Sequence, residues 1–284
     1  MSEDVVLEIE PGRIRGAVNQ GVANFKGIPY GSGVDGAGRW RRAKPVSSWS
    51  GVRDTRAYGP RAIQVEHRDI GITSDELEEL LLLGEPENDH WKVQSEDCLT
   101  LNVWSSSLER NTKHPVMFWC HGGGYYGECP PVWWFDGENL ARDGQVVVVT
   151  VRHRLGTLGY LHLADLPGAV AYEDSGNIGM LDLVDALRWV RNNIERFGGD
   201  PDNVTIFGES GGGGKVSVLM AMPEAKGLFH KAIIQSGPHL RSPSREEATE
   251  TATALLAELG LSPNDVDKLA RISSECLVAA QKNC

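Results

Sequence analysis

The sequence has no run of about 18 consecutive apolar residues, the length that a membrane-spanning helix needs. Its first ten residues carry neither the basic start nor the apolar stretch of a secretory signal peptide. Basic residues are outnumbered, with 28 against 39 acidic residues, and the net charge is -11. Because such a surface repels phosphate backbones and anionic lipids, we expect no nucleic acid and no membrane partner. We expect a cytoplasmic protein.

Cysteine is also sparse. The five cysteines are Cys98, Cys120, Cys129, Cys276 and Cys284. An odd number at these spacings matches neither the paired ligands of a zinc site nor a dense disulfide framework. We therefore expect free thiols in a reducing compartment. We also expect neither a metal nor a cofactor.

The chain is long enough to bury one large core, since it has 284 residues of which 40% are hydrophobic and 24% charged. We expect a single domain over residues 1–284. Between Val5 and Pro29, short alternating runs broken by glycine and proline predict small antiparallel strands. Residues 30–89 are rich in glycine, proline and charge, which is typical of surface decoration, with one short helix candidate at Ser74–Leu83.

From Leu99 onward, short apolar runs alternate with longer segments. The predicted strands are Leu99–Trp104, Val116–Cys120, Val146–Val151, Val204–Phe207 and Ala232–Gln235. The predicted helices are Met180–Phe197, where apolar residues recur every three or four positions, Ser210–Met220 and Arg245–Leu259. Strands alternating with helices predict an α/β fold with a mainly parallel central sheet flanked by helices.

One glycine-rich motif lies between a predicted strand and a predicted helix. Gly208-Glu209-Ser210-Gly211-Gly212 matches the G-x-S-x-G pattern, in which a strained turn presents a nucleophilic serine. Side chains two residues either side of the serine would collide, so glycine is needed there. The helix N-terminus also favours negative charge developing near Ser210. In a chain with 33 glycines the pattern alone is weak, and its placement carries the prediction.

A second motif, His121-Gly122-Gly123-Gly124, directly follows the predicted strand Val116–Cys120. Glycines there allow backbone N–H groups to approach a reacting carbonyl closely. We expect Gly123 and Gly124, together with Gly211, to bind a tetrahedral oxyanion through their backbone N–H groups. Losing one such donor costs about 2.7 to 4 kcal/mol of transition-state stabilisation. The two motifs together predict acyl transfer through Ser210.

Four longer stretches carry a resemblance to a known family. They are Phe25–Tyr30, Ser95–Trp104, Gly176–Asp182 and Phe197–Gly212. The last resembles the serine signature of the type B carboxylesterases, a family that includes the cholinesterases, and Ser95–Trp104 is similar to its second signature. The resemblance spans nearly the whole chain. It implies an α/β-hydrolase fold and hydrolysis of small-molecule carboxylic esters through an acyl-enzyme on Ser210.

The chain also departs from the family pattern. Gly211 stands where many members carry alanine, and Arg152-His153 stands where many carry Asn-Tyr. The resemblance implies a disulfide between Cys98 and an upstream cysteine, but the corresponding stretch, Gly59–Gln64, contains no cysteine. We expect His153 to be a buried, hydrogen-bonded residue and not a catalytic one.

The family's triad acid and histidine follow strands beyond those predicted here, so we expect neither in this chain and interpret it as an N-terminal half, truncated at its C-terminus. The last residues, 275–284, look like the middle of a helix without a cap. His239 is the nearest internal histidine, but nothing in the sequence orients it and no acidic partner is evident. An unpaired edge at Ala232–Gln235 predicts self-association, or a second polypeptide that supplies the missing half.

Several motifs allow a second interpretation. Two G-x-G-x-x-G matches, Gly31–Gly36 and Gly122–Gly127, open no predicted helix, which argues against nucleotide binding. A catalytically incomplete fragment, or a non-catalytic module of the same fold, stays an alternative to an esterase. Trp133-Trp134-Phe135 lines a substrate pocket or packs under a loop, and Glu209 favours a cationic substrate or makes a structural hydrogen bond.

Overall fold

The structure is a computed structural model that describes residues 3–65, 93–127 and 135–283. In these residues, nine strands form one sheet. The strands are β1 (Glu3–Ile9), β2 (Gly12–Asn19), β3 (Val22–Pro29), β4 (Val52–Asp54), β5 (Thr100–Ser105), β6 (His114–Cys120), β7 (Val147–Val151), β8 (Gly199–Glu209) and β9 (Lys231–Gln235). Their order across the sheet is β1-β2-β3-β5-β7-β6-β8-β9, and β4 pairs with β2.

The sheet has an antiparallel half and a parallel half. Strands β1, β2 and β3 form an antiparallel meander, as the alternating runs between Val5 and Pro29 predict. Strands β7, β6, β8 and β9 are mutually parallel. The carboxyl ends of β6, β8 and β9 therefore lie at the same edge, where the two glycine-rich motifs begin.

The orientation of β5 differs from the mainly parallel sheet that the apolar runs predict. It is antiparallel to both neighbours, β3 and β7. The link between β5 and β6, residues 106–113, contains a short 3₁₀ turn at Arg110–Thr112. A parallel connection needs a crossover of about a dozen residues or more, so this link is too short to provide one.

Six α-helices accompany the sheet in the described part of the chain. They are α1 (Glu138–Gly144), α2 (Gly156–Tyr160), α3 (Ile178–Asn193), α4 (Gly211–Ala221), α5 (Arg245–Glu258) and α6 (Ser274–Gln281). The predicted helices are confirmed as α3, α4 and α5, with α3 prolonged by a 3₁₀ turn at Ile194–Phe197. Helix α6 begins after a Ser273 cap and ends at Gln281, so the helix expected in the last residues is present as far as Gln281.

The interpretation of residues 30–89 as surface decoration is wrong for their described part, residues 30–65. Trp40 is fully buried, and its indole N–H donates to the carbonyl of Thr157 at 2.7 Å. Val34, Tyr58 and Ala62 are buried as well. These core positions are scattered among glycines, prolines and charges, so no periodic pattern reveals them. The helix candidate Ser74–Leu83 lies outside the described residues.

Cys120 and Cys276 are free thiols, as expected, whereas Cys129 and Cys284 lie outside the described residues. Burial raises the pKa of the Cys120 thiol to about 12, so this group is an inert part of the core. None of the helices in the described ranges is long and apolar enough to cross a membrane. The cytoplasmic location and the single-domain organisation stay predictions.

A buried ion pair ties α3 to the segment that follows β7. Arg154 donates through Nε and Nη2 to the carboxylate of Asp182 at 2.9 and 2.6 Å, and Asp182 is fully buried. The backbone N–H of Arg154 donates to the same carboxylate at 3.1 Å. Because the carboxylate accepts three hydrogen bonds, its desolvation is largely compensated, and α3 is held at one position beside the sheet.

Replacing Asp182 with asparagine should destabilise the fold strongly, because the Arg154 guanidinium would stay buried without its counter-charge. We expect D182N to lower the free energy of unfolding by about 3 to 5 kcal/mol in urea titrations. Asp185 on the same helix pairs with the half-exposed Arg188, so D185N serves as the control and should cost less than about 1 kcal/mol. Equal losses in the two variants would contradict this role of Asp182.

Candidate active site

Ser210 lies between β8 and α4 in a backbone conformation that L-residues rarely adopt, with φ 55° and ψ -123°. Its N–H donates to the carbonyl of Gln235 on β9 at 2.9 Å, and its carbonyl accepts from the N–H of Gly214 at 3.0 Å. The strained turn expected of the G-x-S-x-G motif is therefore held from the sheet on one side and from the helix on the other. The Ser210 residue is exposed.

The glycines two residues before and after Ser210 are required by close packing. A Cβ at Gly212 would lie 2.1 Å from the carbonyl oxygen of Cys120, at the end of β6. A Cβ at Gly208 would lie 2.7 Å from the same oxygen. Both distances are below any ordinary van der Waals contact with backbone, so the first turn of α4 can start here only with glycine at these positions.

Residues His121–Gly124, called here the glycine loop, run alongside the turn that carries Ser210. Gly123 and Gly124 have φ values of 83° and 65°, in the left-handed region that glycine tolerates. A Cβ at Gly211 would lie 2.5 Å from the backbone nitrogen of Gly124. The structure thus brings together the four residues that the sequence singles out: Ser210, Gly211, Gly123 and Gly124.

Hydrogen bonds within the glycine loop set the directions of its N–H groups. In a trans peptide the carbonyl and the following N–H point in opposite directions. Gly122 carbonyl lies 2.8 Å from Nδ1 of His121, so the N–H of Gly123 points away from that ring. The Gly123 carbonyl accepts from the N–H of Gly127 at 3.1 Å, so the N–H of Gly124 points away from Gly127. Both candidate donors are oriented before any substrate arrives.

His121, the first residue of the glycine loop, stacks on His153. The rings of His121 and His153 have centroids 4.9 Å apart and an interplanar angle of 19°, and both side chains are buried. Burial, and after it the charge of Lys215, holds the pKa of each imidazole well below its usual value. Each Nδ1 faces a carbonyl oxygen, Arg154 in the case of His153, so Nδ1 carries the proton of the neutral ring. The prediction that His153 is a buried, hydrogen-bonded residue is confirmed.

Lys215 was missed by the sequence analysis. It is fully buried in α4, and its ammonium donates to the carbonyl of His121 at 2.9 Å. The signal in the sequence is its helical position: Lys215 lies three residues after Gly212 and four before Leu219, and both are buried. Such spacing places the lysine on the core-facing side of α4.

His239 lies near the site but is not joined to Ser210. Its Nδ1 is 3.3 Å from the hydroxyl of Tyr125, and its backbone N–H donates to Ser217 Oγ at 3.3 Å. Within the described residues, the Ser210 hydroxyl forms no hydrogen bond with any histidine, and His239 has no acidic partner. No group of three or more metal-ligating side chains in these ranges could hold a metal ion.

Glu209 and Phe135 are the other two described residues that the sequence suggests for the site. Glu209 is exposed, and a Cβ at Gly122 would lie 3.2 Å from its Oε2, so its carboxylate borders the glycine loop. Phe135 packs against Trp119 with ring centroids 5.1 Å apart, which agrees with packing under a loop. Trp133 and Trp134 lie outside the described residues.

Two known esterases are similar to this chain along nearly its whole length. The para-nitrobenzyl esterase of Bacillus subtilis is 41% identical over 275 residues, which cover 97% of this chain and 52% of that protein. The crystal structure of the carboxylesterase EST55 of Geobacillus stearothermophilus superposes with a TM-score of 0.84 at 40% identity, covering 98% of this chain and 53% of the other. The chain spans about half the length of the curated relatives it matches.

A more distant structure shares the architecture. The juvenile hormone esterase of Manduca sexta, solved with OTFP covalently attached, has a TM-score of 0.81 at 26% identity and covers 99% of this chain and 51% of its own. The α/β-hydrolase fold that the resemblance implies is thereby confirmed. Residues 3–283 match the model of the carboxylesterase family, and the chain belongs to that family.

Proposed function

We propose that this chain carries the nucleophile and the oxyanion donors of a serine carboxylesterase that acts on small-molecule esters. The single observation that carries the proposal is the position of Ser210, strained and exposed beside a loop whose N–H groups are already oriented. In the reaction, Ser210 Oγ attacks the ester carbonyl and forms an acyl-enzyme as the alcohol leaves. Water then attacks the acyl group and releases the carboxylic acid.

The oxyanion of each tetrahedral intermediate is stabilised by the backbone N–H groups of Gly123, Gly124 and Gly211. These donors are fixed before the charge develops, so they cost no reorganisation at that moment. The positive end of the α4 dipole adds to the same field. Each donor contributes about 2.7 to 4 kcal/mol to transition-state stabilisation. Carboxylic ester hydrolysis is also the activity named for the relatives of this chain.

The general base is the part of the machinery that the described residues do not supply, since no histidine among them bonds to the Ser210 hydroxyl. We propose that the triad histidine and acid come from polypeptide outside these 284 residues. Without them, the donors and Ser210 alone retain about 10³- to 10⁴-fold acceleration over water. The alternative, a catalytically incomplete or non-catalytic module, is favoured by that same missing contact.

Strand β9 offers the surface on which such a polypeptide, or a second copy of the chain, would pair. It is hydrogen-bonded to β8 on one side, and no strand pairs with its other side in the described ranges. Its side chains Ile233 and Ile234 are 45% and 38% exposed. An apolar strand edge of this kind is a template for a further strand.

Treatment with p-nitrophenyl acetate should acetylate Ser210 faster than any other residue of the chain. Peptide mass spectrometry should locate one acetyl group on the peptide with Ser210, and labelling should be lost in Ser210→Ala. Ser217→Ala and His239→Ala should keep the label, because neither side chain contacts the Ser210 hydroxyl. Release of p-nitrophenol by Ser210→Ala at the wild-type rate would overturn the proposed nucleophile.

Gly212→Ala should slow acetylation, because its Cβ would lie 2.1 Å from the Cys120 carbonyl oxygen and push the end of β6, with the glycine loop that follows it, away from Ser210. A displacement of several tenths of an ångström at the donors should lower the rate about ten- to a hundredfold. Gly214→Ala is the matched control on the same helix, since the nearest atoms are side-chain atoms at 3.3 and 3.4 Å, from Tyr125 and His239. A wild-type rate for Gly212→Ala would contradict the tight contact between α4 and the end of β6.

The exposed edge of β9 should cause the 284-residue chain to self-associate. Sedimentation velocity should show concentration-dependent species larger than a monomer, and the double variant Ile233→Lys, Ile234→Lys should reduce them, since the like charges oppose strand pairing. Val170 is 92% exposed elsewhere on the surface, so Val170→Lys should leave association unchanged. A monodisperse wild-type monomer would count against this prediction.

A further inference from the structure

Lys215 is a charged side chain with no part in the proposed acyl transfer, yet it is fully buried beside the candidate site. Burying an ammonium group is costly unless hydrogen bonds compensate for its lost hydration. Its place in the second turn of α4, near the positive end of the helix dipole, gives a cation no assistance. Its burial therefore calls for a specific set of contacts.

Two contacts of Lys215 lie at the two ends of the glycine loop. The Lys215 ammonium donates to the carbonyl of His121, the first residue of the loop, at 2.9 Å. The same ammonium lies 5.8 Å from the ring centroid of Tyr125, the first residue after the loop, within the range of a cation–π contact. One side chain from α4 thus reaches the beginning and the end of the loop.

Apart from the backbone packing of Gly124 against Gly211, the loop's own composition offers little to fix it against α4. Gly122, Gly123 and Gly124 have no side chains, and glycine backbone is the most permissive of all. The bonds from His121 to Gly122 and from Gly127 to Gly123 orient peptide planes inside the segment, but they do not join it to the helix. Lys215 makes that connection, because its own backbone belongs to the helix that begins beside Ser210.

We infer that Lys215 is a positioning residue, which fixes the glycine loop to α4 through the His121 carbonyl and the Tyr125 ring and so sets the distance between Ser210 and the Gly123 and Gly124 N–H donors. Lys215 contacts neither the substrate nor the reacting atoms. The catalytic part of this inference depends on the proposed function, whereas the anchoring of the loop does not.

Lys215→Met keeps the length of the side chain and removes its charge and its N–H groups. Hydrogen exchange with single-amide resolution should report on the loop through two amides bonded to it: Gly127, which donates to Gly123, and Gly156, which donates to the Tyr125 carbonyl at 2.8 Å. We expect both amides to exchange at least about tenfold faster in the variant, while amides of β1 to β3 keep their wild-type rates, as expected for a local opening. Unchanged exchange at Gly127 and Gly156 would overturn the inference.

Two further variants separate anchoring from general destabilisation. Lys215→Gln keeps an N–H donor without the charge, so it should restore part of the protection. Lys226→Met removes an exposed lysine just after α4 and should match the wild type. A variant in which all amides exchange faster, including those of β1 to β3, would mean that Lys215 supports the whole fold and not the loop, and would count against the inference.

The kinetic test measures kcat and KM separately with p-nitrophenyl acetate. If the chain is only acetylated and does not turn over, the maximal labelling rate and the half-saturating concentration take their place. Since the donors act on the transition state, Lys215→Met should lower kcat about ten- to a hundredfold and change KM less than about threefold. Equal kcat values in variant and wild type would overturn the positioning role. If the wild type shows no Ser210-dependent reaction, the proposed function fails, and the exchange measurement still decides whether Lys215 anchors the loop.

Discussion

The close contact between the first turn of α4 and the carboxyl end of β6 is the constraint on which the candidate site depends. Gly212 and Gly208 both face the carbonyl oxygen of Cys120 at distances that exclude any side chain. With the helix start pressed against the strand, the residue between them must turn sharply, and Ser210 takes up a positive φ. The same contact places the continuation of β6, the glycine loop, directly beside Ser210. The strained turn and the adjacent loop are thus two consequences of one packing arrangement.

Beside this contact lies a cluster of three buried polar side chains. His121, His153 and Lys215 are all buried, and each gives a hydrogen bond to a backbone carbonyl. Burial, and after it the Lys215 charge, holds the pKa of both imidazoles well below its usual value and so favours the neutral rings. The carbonyls satisfied in this way belong to the irregular segments after β6 and β7. Such a cluster can orient loops, because hydrogen bonds are directional. Apolar contacts between side chains are not directional and could not do so alone.

Most of the architecture was predictable because each element carries its own signal. The apolar period of α3 and the short apolar runs of the strands are local properties. The misses are those where distant parts of the chain decide the outcome. The apolar run of β5 predicts a parallel core strand, but β5 is antiparallel to both of its neighbours in the sheet, β3 and β7. Trp40 sits in an irregular, glycine-rich stretch, and only its contact with Thr157 shows that it is core.

For the site, the sequence by itself determined the nucleophile candidate, the glycine donors and the family resemblance, because motif spacing and glycine placement are written in consecutive residues. The role of His153 as a buried residue was also predictable. Only the tertiary structure decided that Gly211 lies against Gly124, that His121 orients the Gly122 peptide, and that Lys215 reaches across to the loop. The contacts of Gly211 and Lys215 join α4 to the loop after β6, across 94 residues of sequence in the case of Lys215 and His121. Such contacts arise from packing that no single stretch of sequence encodes.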